Sequence, residues 1–150
     1  MKVWNFVGRD DLMPNPGDYL ATDVAGIPII LIRDKDGTAR AFANSCRHRG
    51  TQLLTGEGNC KAIVCPYHAW TYDFDGALIR ARNTKRMAGF DRCAFSLKPV
   101  RVEVFCGLVF VNLDPDAATL REQTGELESE IRSFCPDLND IVFAQRDTYN

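Results

Sequence analysis

Apolar and polar residues alternate in short runs broken by Gly, Pro, Asp and Asn, which is the punctuation of an all-β chain. Residues 3–7 and 17–22 read as strands around a loop rich in Asp, Pro and Asn. Residues 27–33 form a dense β-branched run, followed by Asp36-Gly37, a strong hairpin signal, and a partner strand at 39–43. Short strands at 61–64 and 71–74 follow, then a second turn at Asp75-Gly76 with 77–79 pairing back. Val100, Val102 and Val104 alternate with Arg101 and Glu103, the period of a half-buried strand, and 108–113 is its expected antiparallel partner. After Asp114-Pro115-Asp116 the period changes. Leu120, Leu127 and Ile131 fall at helical spacing between Glu122, Glu126, Glu128 and Glu130, so 117–134 is expected to be one amphipathic helix that Pro136 ends. Residues 141–143 are expected to start a further strand.

Composition narrows the class. A chain of 150 residues with 45% hydrophobic and 25% charged residues fits one ordinary domain with a real core. A net charge of −2 points to neither nucleic acid nor a membrane surface as partner. No run approaches the ~20 apolar residues of a spanning helix, and no charged-then-apolar leader opens the chain. The six cysteines are scattered rather than framed for disulfides, so Cys60, Cys93, Cys106 and Cys135 read as free thiols of a cytoplasmic protein. Cys106, between Phe105 and Gly107, reads as a small apolar filler.

The chemistry lies in two short loops, Cys46-Arg47-His48-Arg49-Gly50 and Cys65-Pro66-Tyr67-His68-Ala69-Trp70, which contain both of the histidines in the chain. Two cysteines and two histidines are the ligand set of a Rieske [2Fe–2S] centre, with imidazoles replacing two thiolates on one iron. Two ferric ions, two sulfides and two thiolates sum to zero charge, whereas four thiolates leave minus two. Adding an electron to a neutral group in a low-dielectric pocket costs less than adding one to an anion. The potential therefore rises to roughly −150 to +300 mV, against about −400 mV for plant-type clusters. The alternative is a zinc site, although zinc motifs usually pair Cys with Cys and His with His, and here each loop mixes the two. Cys60, five residues before Cys65, is a weaker candidate because the two pairs already complete the set.

The stretch from Cys46 through Trp70-Thr71-Tyr72-Asp73 resembles the N-terminal Rieske domain of Rieske non-haem iron oxygenases, the ring-hydroxylating dioxygenase α-subunits and related monooxygenases. The resemblance extends to Trp4-Asn5-Phe6-Val7-Gly8-Arg9 and Pro16-Gly17-Asp18-Tyr19 upstream. Downstream it covers Leu97-Lys98-Pro99-Val100-Arg101-Val102-Glu103-Val104 and Gly107-Leu108-Val109-Phe110-Val111-Asn112-Leu113. Ala69 departs from the family, which more often has Gly there; its methyl group is expected to be tolerated, at most tightening the second loop. Respiratory Rieske proteins also resemble the motif, but they add a bridged cysteine to each loop where this chain has Thr51 and Tyr67.

The resemblance implies a Rieske-type antiparallel β-sandwich over residues 1–150. Within it, a small cluster-binding subdomain of two β-loops spans about 43–80, and one C-terminal helix spans about 117–134. It implies that Cys46 and Cys65 bind the buried iron as thiolates and that His48 and His68 bind the outer iron. Backbone N–H groups of both loops would donate to the sulfides, and Trp70 and Tyr72 would cover the cluster from water. The partners implied are a reductase or ferredoxin as donor, and as acceptor the catalytic domain of the same or a neighbouring subunit. That domain holds a mononuclear Fe(II) on two histidines and a carboxylate. With only two histidines, this chain is expected to be a piece of such a subunit, passing electrons without hydroxylating the small organic, often aromatic, substrate. A free-standing Rieske ferredoxin is the alternative. The basic stretch at 80–96, with Arg80, Arg82, Lys85, Arg86 and Arg92, reads first as a solvated loop and second as a docking face for an acidic redox partner. Substitution of His48→Cys or His68→Cys is expected to lower the midpoint potential and remove its pH dependence near that imidazole's pKa; unchanged redox titrations would contradict the ligand set.

Overall fold

The computed structural model describes residues 3–82, 84, 89–142 and 144. Ten antiparallel strands form two sheets: β1 (Asn5–Arg9), β2 (Asp18–Val24), β3 (Ile27–Arg33), β4 (Ala39–Ala43), β5 (Glu57–Asn59), β9 (Pro99–Phe105) and β10 (Leu108–Asn112) in the larger, and β6 (Ile63–Val64), β7 (Thr71–Tyr72) and β8 (Leu78–Arg80) in the smaller. The larger sheet runs in the order β1-β10-β9-β4-β3-β2-β5. It curls so that its two halves face each other, with Val109 and Val111 of β10 packed against Ile29 and Leu31 of β3.

Strand β3 explains the architecture. A continuous apolar run has no polar face to give to water, so both of its faces must be covered. Ile29 and Leu31 enter the core between the halves of the large sheet, while Ile30 and Ile32 point the other way. On that second face they meet Phe42, Leu53, Ile63, Trp70, Tyr72, Phe74 and Leu78, the apolar side of the small sheet. Cys46 and Cys65 belong to the same cluster, so the second core is the floor of the two loops.

The Asp36-Gly37 and Asp75-Gly76 turns form as expected and share one construction. Asp34 N–H donates to Thr38 O (2.8 Å) and Gly37 N–H returns to Asp34 O (3.0 Å). Asp73 and Ala77 repeat this at 2.9 Å, with Gly76 and Asp73 at 3.0 Å. Each glycine sits at positive φ, 83° and 85°, which turn geometry demands. Arg33, buried among these turns, donates to Met13 O, Gly37 O and Asp10, tying the first loop to the first hairpin.

Three expectations need correction. Strand β5 was not anticipated, because Glu57-Gly58-Asn59 has no apolar face; it pairs through its backbone with β2, and Asn59 Nδ2 holds Pro16 O and Asp18 Oδ1. The expected single helix over 117–134 is two helices, α1 (Leu120–Thr124) and α2 (Leu127–Phe134). Thr119 and Glu122 form a reciprocal capping box at the start of α1, and Gly125 at φ 57° stops it. Leu120 is buried, whereas Leu127 and Phe134 are exposed, so the apolar period did not become one buried stripe. Ile141 and Val142 are not in a strand, and Phe143 lies outside the described residues. No described helix is long and apolar enough to cross a membrane.

Candidate metal centre

Strand β4 delivers the chain to the first loop and β6 to the second, and the loops are built alike. Cys46 N–H donates to Thr51 O (2.8 Å), and Gly50 N–H donates to Cys46 O (2.8 Å). Cys65 N–H donates to Trp70 O (2.8 Å), and Ala69 N–H donates to Cys65 O (3.0 Å). Each loop is thus a six-residue tie that starts on a cysteine and turns at its fifth residue, where Gly50 has φ 74° and Ala69 has φ 54°. The buried Asn44 braces the first loop from behind: its Oδ1 accepts from Leu53 and Leu54 N–H and its Nδ2 donates to Leu54 O.

The four candidate residues lie as two pairs, cysteine with cysteine and histidine with histidine. Cys46 and Cys65 are buried, 3% and 2% exposed, and they pack in one apolar cluster. His48 is exposed and His68 half-buried, with ring centroids 4.8 Å apart at 68°. Sulfur lies inside and nitrogen outside. Burial pushes the Cys46 thiol up; the Tyr72 hydroxyl and the His48 backbone N–H pull it down, and Cys65 pushes it up again. Desolvation holds His48 below the ordinary imidazole range, with His68 and Arg49 adding like-charge cost, so a neutral ring with a free lone pair is favoured. His68 Nδ1 is buried and has no hydrogen-bond partner. A buried lone pair without a donor is costly, and a metal ion is the partner that would relieve it.

Tyr72 was expected only to cover the site, but its role is more specific. It is fully buried, and its hydroxyl lies 3.3 Å from Cys46 Sγ while accepting from Arg47 N–H at 3.1 Å. Burial holds this phenol far above its ordinary pKa, so it stays protonated and can donate to sulfur. Trp70 is buried and stacks on His48 at 4.7 Å and 11°. Phe90 and Phe95, from the basic stretch read first as a solvated loop, stand near-perpendicular to Trp70 at 5.9 Å and 5.5 Å. Nothing in a local sequence period announces such a long-range aromatic wall.

A cleft of about 600 Å³ opens over the two imidazoles, lined by Arg49, Tyr67, Arg82, Thr84 and the Phe90–Phe95 pair as well as the histidines and Trp70. Arg80 and Arg92 are also exposed, while Lys85, Arg86 and Met87 lie outside the described residues. The remaining thiols are elsewhere. All six cysteines are free, Cys60 is held by its N–H on Gly17 O, and Cys106 fills the β9–β10 turn beside Phe105 and Leu120. Among the described residues no three His, Cys, Asp or Glu side chains gather around a single point.

An all-β domain with two cysteine–histidine loops over its second core defines the class. A model of the Rieske [2Fe-2S] domain matches residues 3–99, and the chain belongs to that family, whose cofactor is a [2Fe–2S] cluster. The chain is 41% identical over 148 residues to the carnitine monooxygenase oxygenase subunit of Escherichia coli (strain K12), covering 98% of this chain and 40% of that protein. It is 35% identical over 134 residues to the biphenyl dioxygenase subunit alpha of Metapseudomonas furukawaii, covering 83% and 29%. The solved structure of a quaternary ammonium Rieske monooxygenase in complex with L-carnitine superposes with a TM-score of 0.90 at 39% identity, covering 96% of this chain and 41% of that one. The chain therefore spans about two fifths of these carnitine-oxidising relatives, and less of the dioxygenases.

Ala69 sits in the left-handed region that costs a non-glycine residue roughly 1–2 kcal/mol, part of which glycine's greater freedom in the unfolded chain offsets. Ala69→Gly is expected to stabilise the protein by about 1 kcal/mol, read as a higher urea midpoint at unchanged slope. A lower midpoint would show that the loop carries no such strain.

Proposed function

We propose that this chain is the electron-entry domain of a terminal oxygenase, with Cys46 and Cys65 holding the buried iron as thiolates and His48 and His68 holding the outer iron through imidazole nitrogen. The observation that carries this reading is the sorting of the four side chains, two thiols in the floor and two imidazoles at the cleft, with the orphaned His68 Nδ1 among them. When bound, the cluster supplies a one-electron carrier whose mixed ligation places it at a potential of roughly −150 to +300 mV.

The protein's own residues do the rest. Tyr72 donates a hydrogen bond to the Cys46 sulfur, which is worth more when that sulfur carries more charge, so it favours the reduced state. The wall of Trp70, Phe90 and Phe95 keeps water from one side of the site. The cleft leaves imidazole edges accessible beside Arg49 and Arg82, with no carboxylate among its described lining residues. Such a surface suits an acidic partner, either the reductase or ferredoxin that donates or the catalytic domain that accepts.

The acceptor in this reading is a mononuclear non-haem iron in the catalytic domain of the same or a neighbouring subunit, used for O2-dependent hydroxylation of a small organic substrate. An oxygenase subunit is favoured over a stand-alone ferredoxin because the similarity to the carnitine monooxygenase subunit runs over 98% of the chain, past residue 99 and into the helical segment. The same relatives favour a small quaternary amine over an aromatic ring: the quaternary ammonium enzyme superposes at a TM-score of 0.90, against 0.79 for naphthalene 1,2-dioxygenase with indole bound.

An EPR-monitored redox titration of the iron-loaded protein tests the assignment, and a midpoint near −400 mV instead of the mixed-ligand range would refute it. Tyr72→Phe is expected to lower the midpoint by about 20–60 mV, the equivalent of one net hydrogen bond of roughly 0.5–1.5 kcal/mol in a one-electron couple. An unshifted midpoint would mean that the hydroxyl does not act on the sulfur.

A further inference from the structure

The two imidazoles are not held in the same way. His68 packs against its own neighbour Tyr67, at 3.8 Å between ring centroids, with its Nδ1 buried. His48 is exposed, and no hydrogen bond to a described residue orients its imidazole. Metal-binding histidines ordinarily donate their second ring N–H to a carboxylate, carbonyl or water, which fixes the ring plane. His48 has a flat face instead: the Trp70 indole lies 4.7 Å away and 11° from parallel.

That indole is itself fixed. The Trp70 carbonyl accepts the bond that closes the second loop, from Cys65 N–H at 2.8 Å, and the side chain is 4% exposed. Phe95 meets the ring at 86° and Phe90 at 76°, while these two stack on each other at 5.1 Å. The ring is thus held by its own backbone and by two near-perpendicular phenyl rings, and His48 lies parallel to it. An imidazole bound to a metal ion is electron-poor, and indole offers the most electron-rich face among the aromatic side chains.

We propose that Trp70 is the positioning residue for His48: its stacked indole, rather than a second hydrogen bond, sets the plane of that imidazole, so a residue of the second loop orients a ligand of the first. This rests on the ligand assignment above. It also gives Phe90 and Phe95 a purpose, since they steady the ring that steadies the ligand. The outer edge of His48 is then left free in the cleft for a partner.

Pulsed EPR of the dithionite-reduced, iron-loaded protein tests this through the nitrogen couplings of the two imidazoles. In the wild type both sets are expected to be narrow; absence of two nitrogen sets there would overturn the ligand assignment itself. Trp70→Leu, which keeps much of the volume but removes the flat face, is expected to spread one set into a broad distribution while the other stays narrow. Trp70→Phe is expected to restore the narrow set. Wild-type-like couplings in the leucine variant would overturn the proposal and leave the ligand assignment standing. A phenylalanine variant as broad as the leucine one would assign the effect to lost volume and overturn it equally. Should the leucine variant fail to fold, Phe95→Leu decides: its ring contacts are with Trp70 and Phe90, so partial broadening of the same set supports the role and unchanged couplings refute it.

Discussion

Two backbone hydrogen bonds, Cys46 N–H to Thr51 O and Cys65 N–H to Trp70 O, are the constraint on which the site depends. Each closes a six-residue loop and fixes where a cysteine leaves its strand. Together with the reverse bonds from Gly50 and Ala69, they give two loops of one design. Placed over one core, the loops bring two thiols together below and two imidazoles above. Without the ties, loops this short in sequence would still be free to turn their side chains to water. The second core completes the arrangement, because Ile30, Ile32 and Phe42 hold the large sheet under both loops at once.

Much of this was legible in the chain because it is local. Ile27–Arg33 is a strand at the expected bounds because its central run, Ile29 to Ile32, has no polar face and is buried on both sides. The two cysteine–histidine pairs stood out as candidates because metal ligation demands particular side chains at short spacing, which few other structures require. Glu57–Asn59 was not legible, since its pairing uses backbone alone. The helix divided at Gly125 because a left-handed stop overrides an apolar period that would have continued. At the site, the missing parts were contacts between distant residues. Tyr72 reaches Cys46 across 26 positions, and Phe90 and Phe95 reach Trp70 across 20 and 25. No periodicity records such meetings, which arise only when the small sheet docks on the large one.

The site is also asymmetric. One imidazole is backed by a buried indole and the other by an exposed tyrosine, and both open on a cleft carrying Arg49 and Arg82. Relatives more than twice as long as this chain share its strands, loops and helical segment at a TM-score of 0.90.

Everything in the account requires the four side chains to share one diiron core with nitrogen on one iron and sulfur on the other. Mössbauer spectroscopy of ⁵⁷Fe-loaded protein reads that most directly, because the two irons differ in their ligands. Two inequivalent iron sites in equal amounts are the predicted result. A single kind of sulfur-ligated iron, or a colourless protein carrying zinc and no iron, would contradict it.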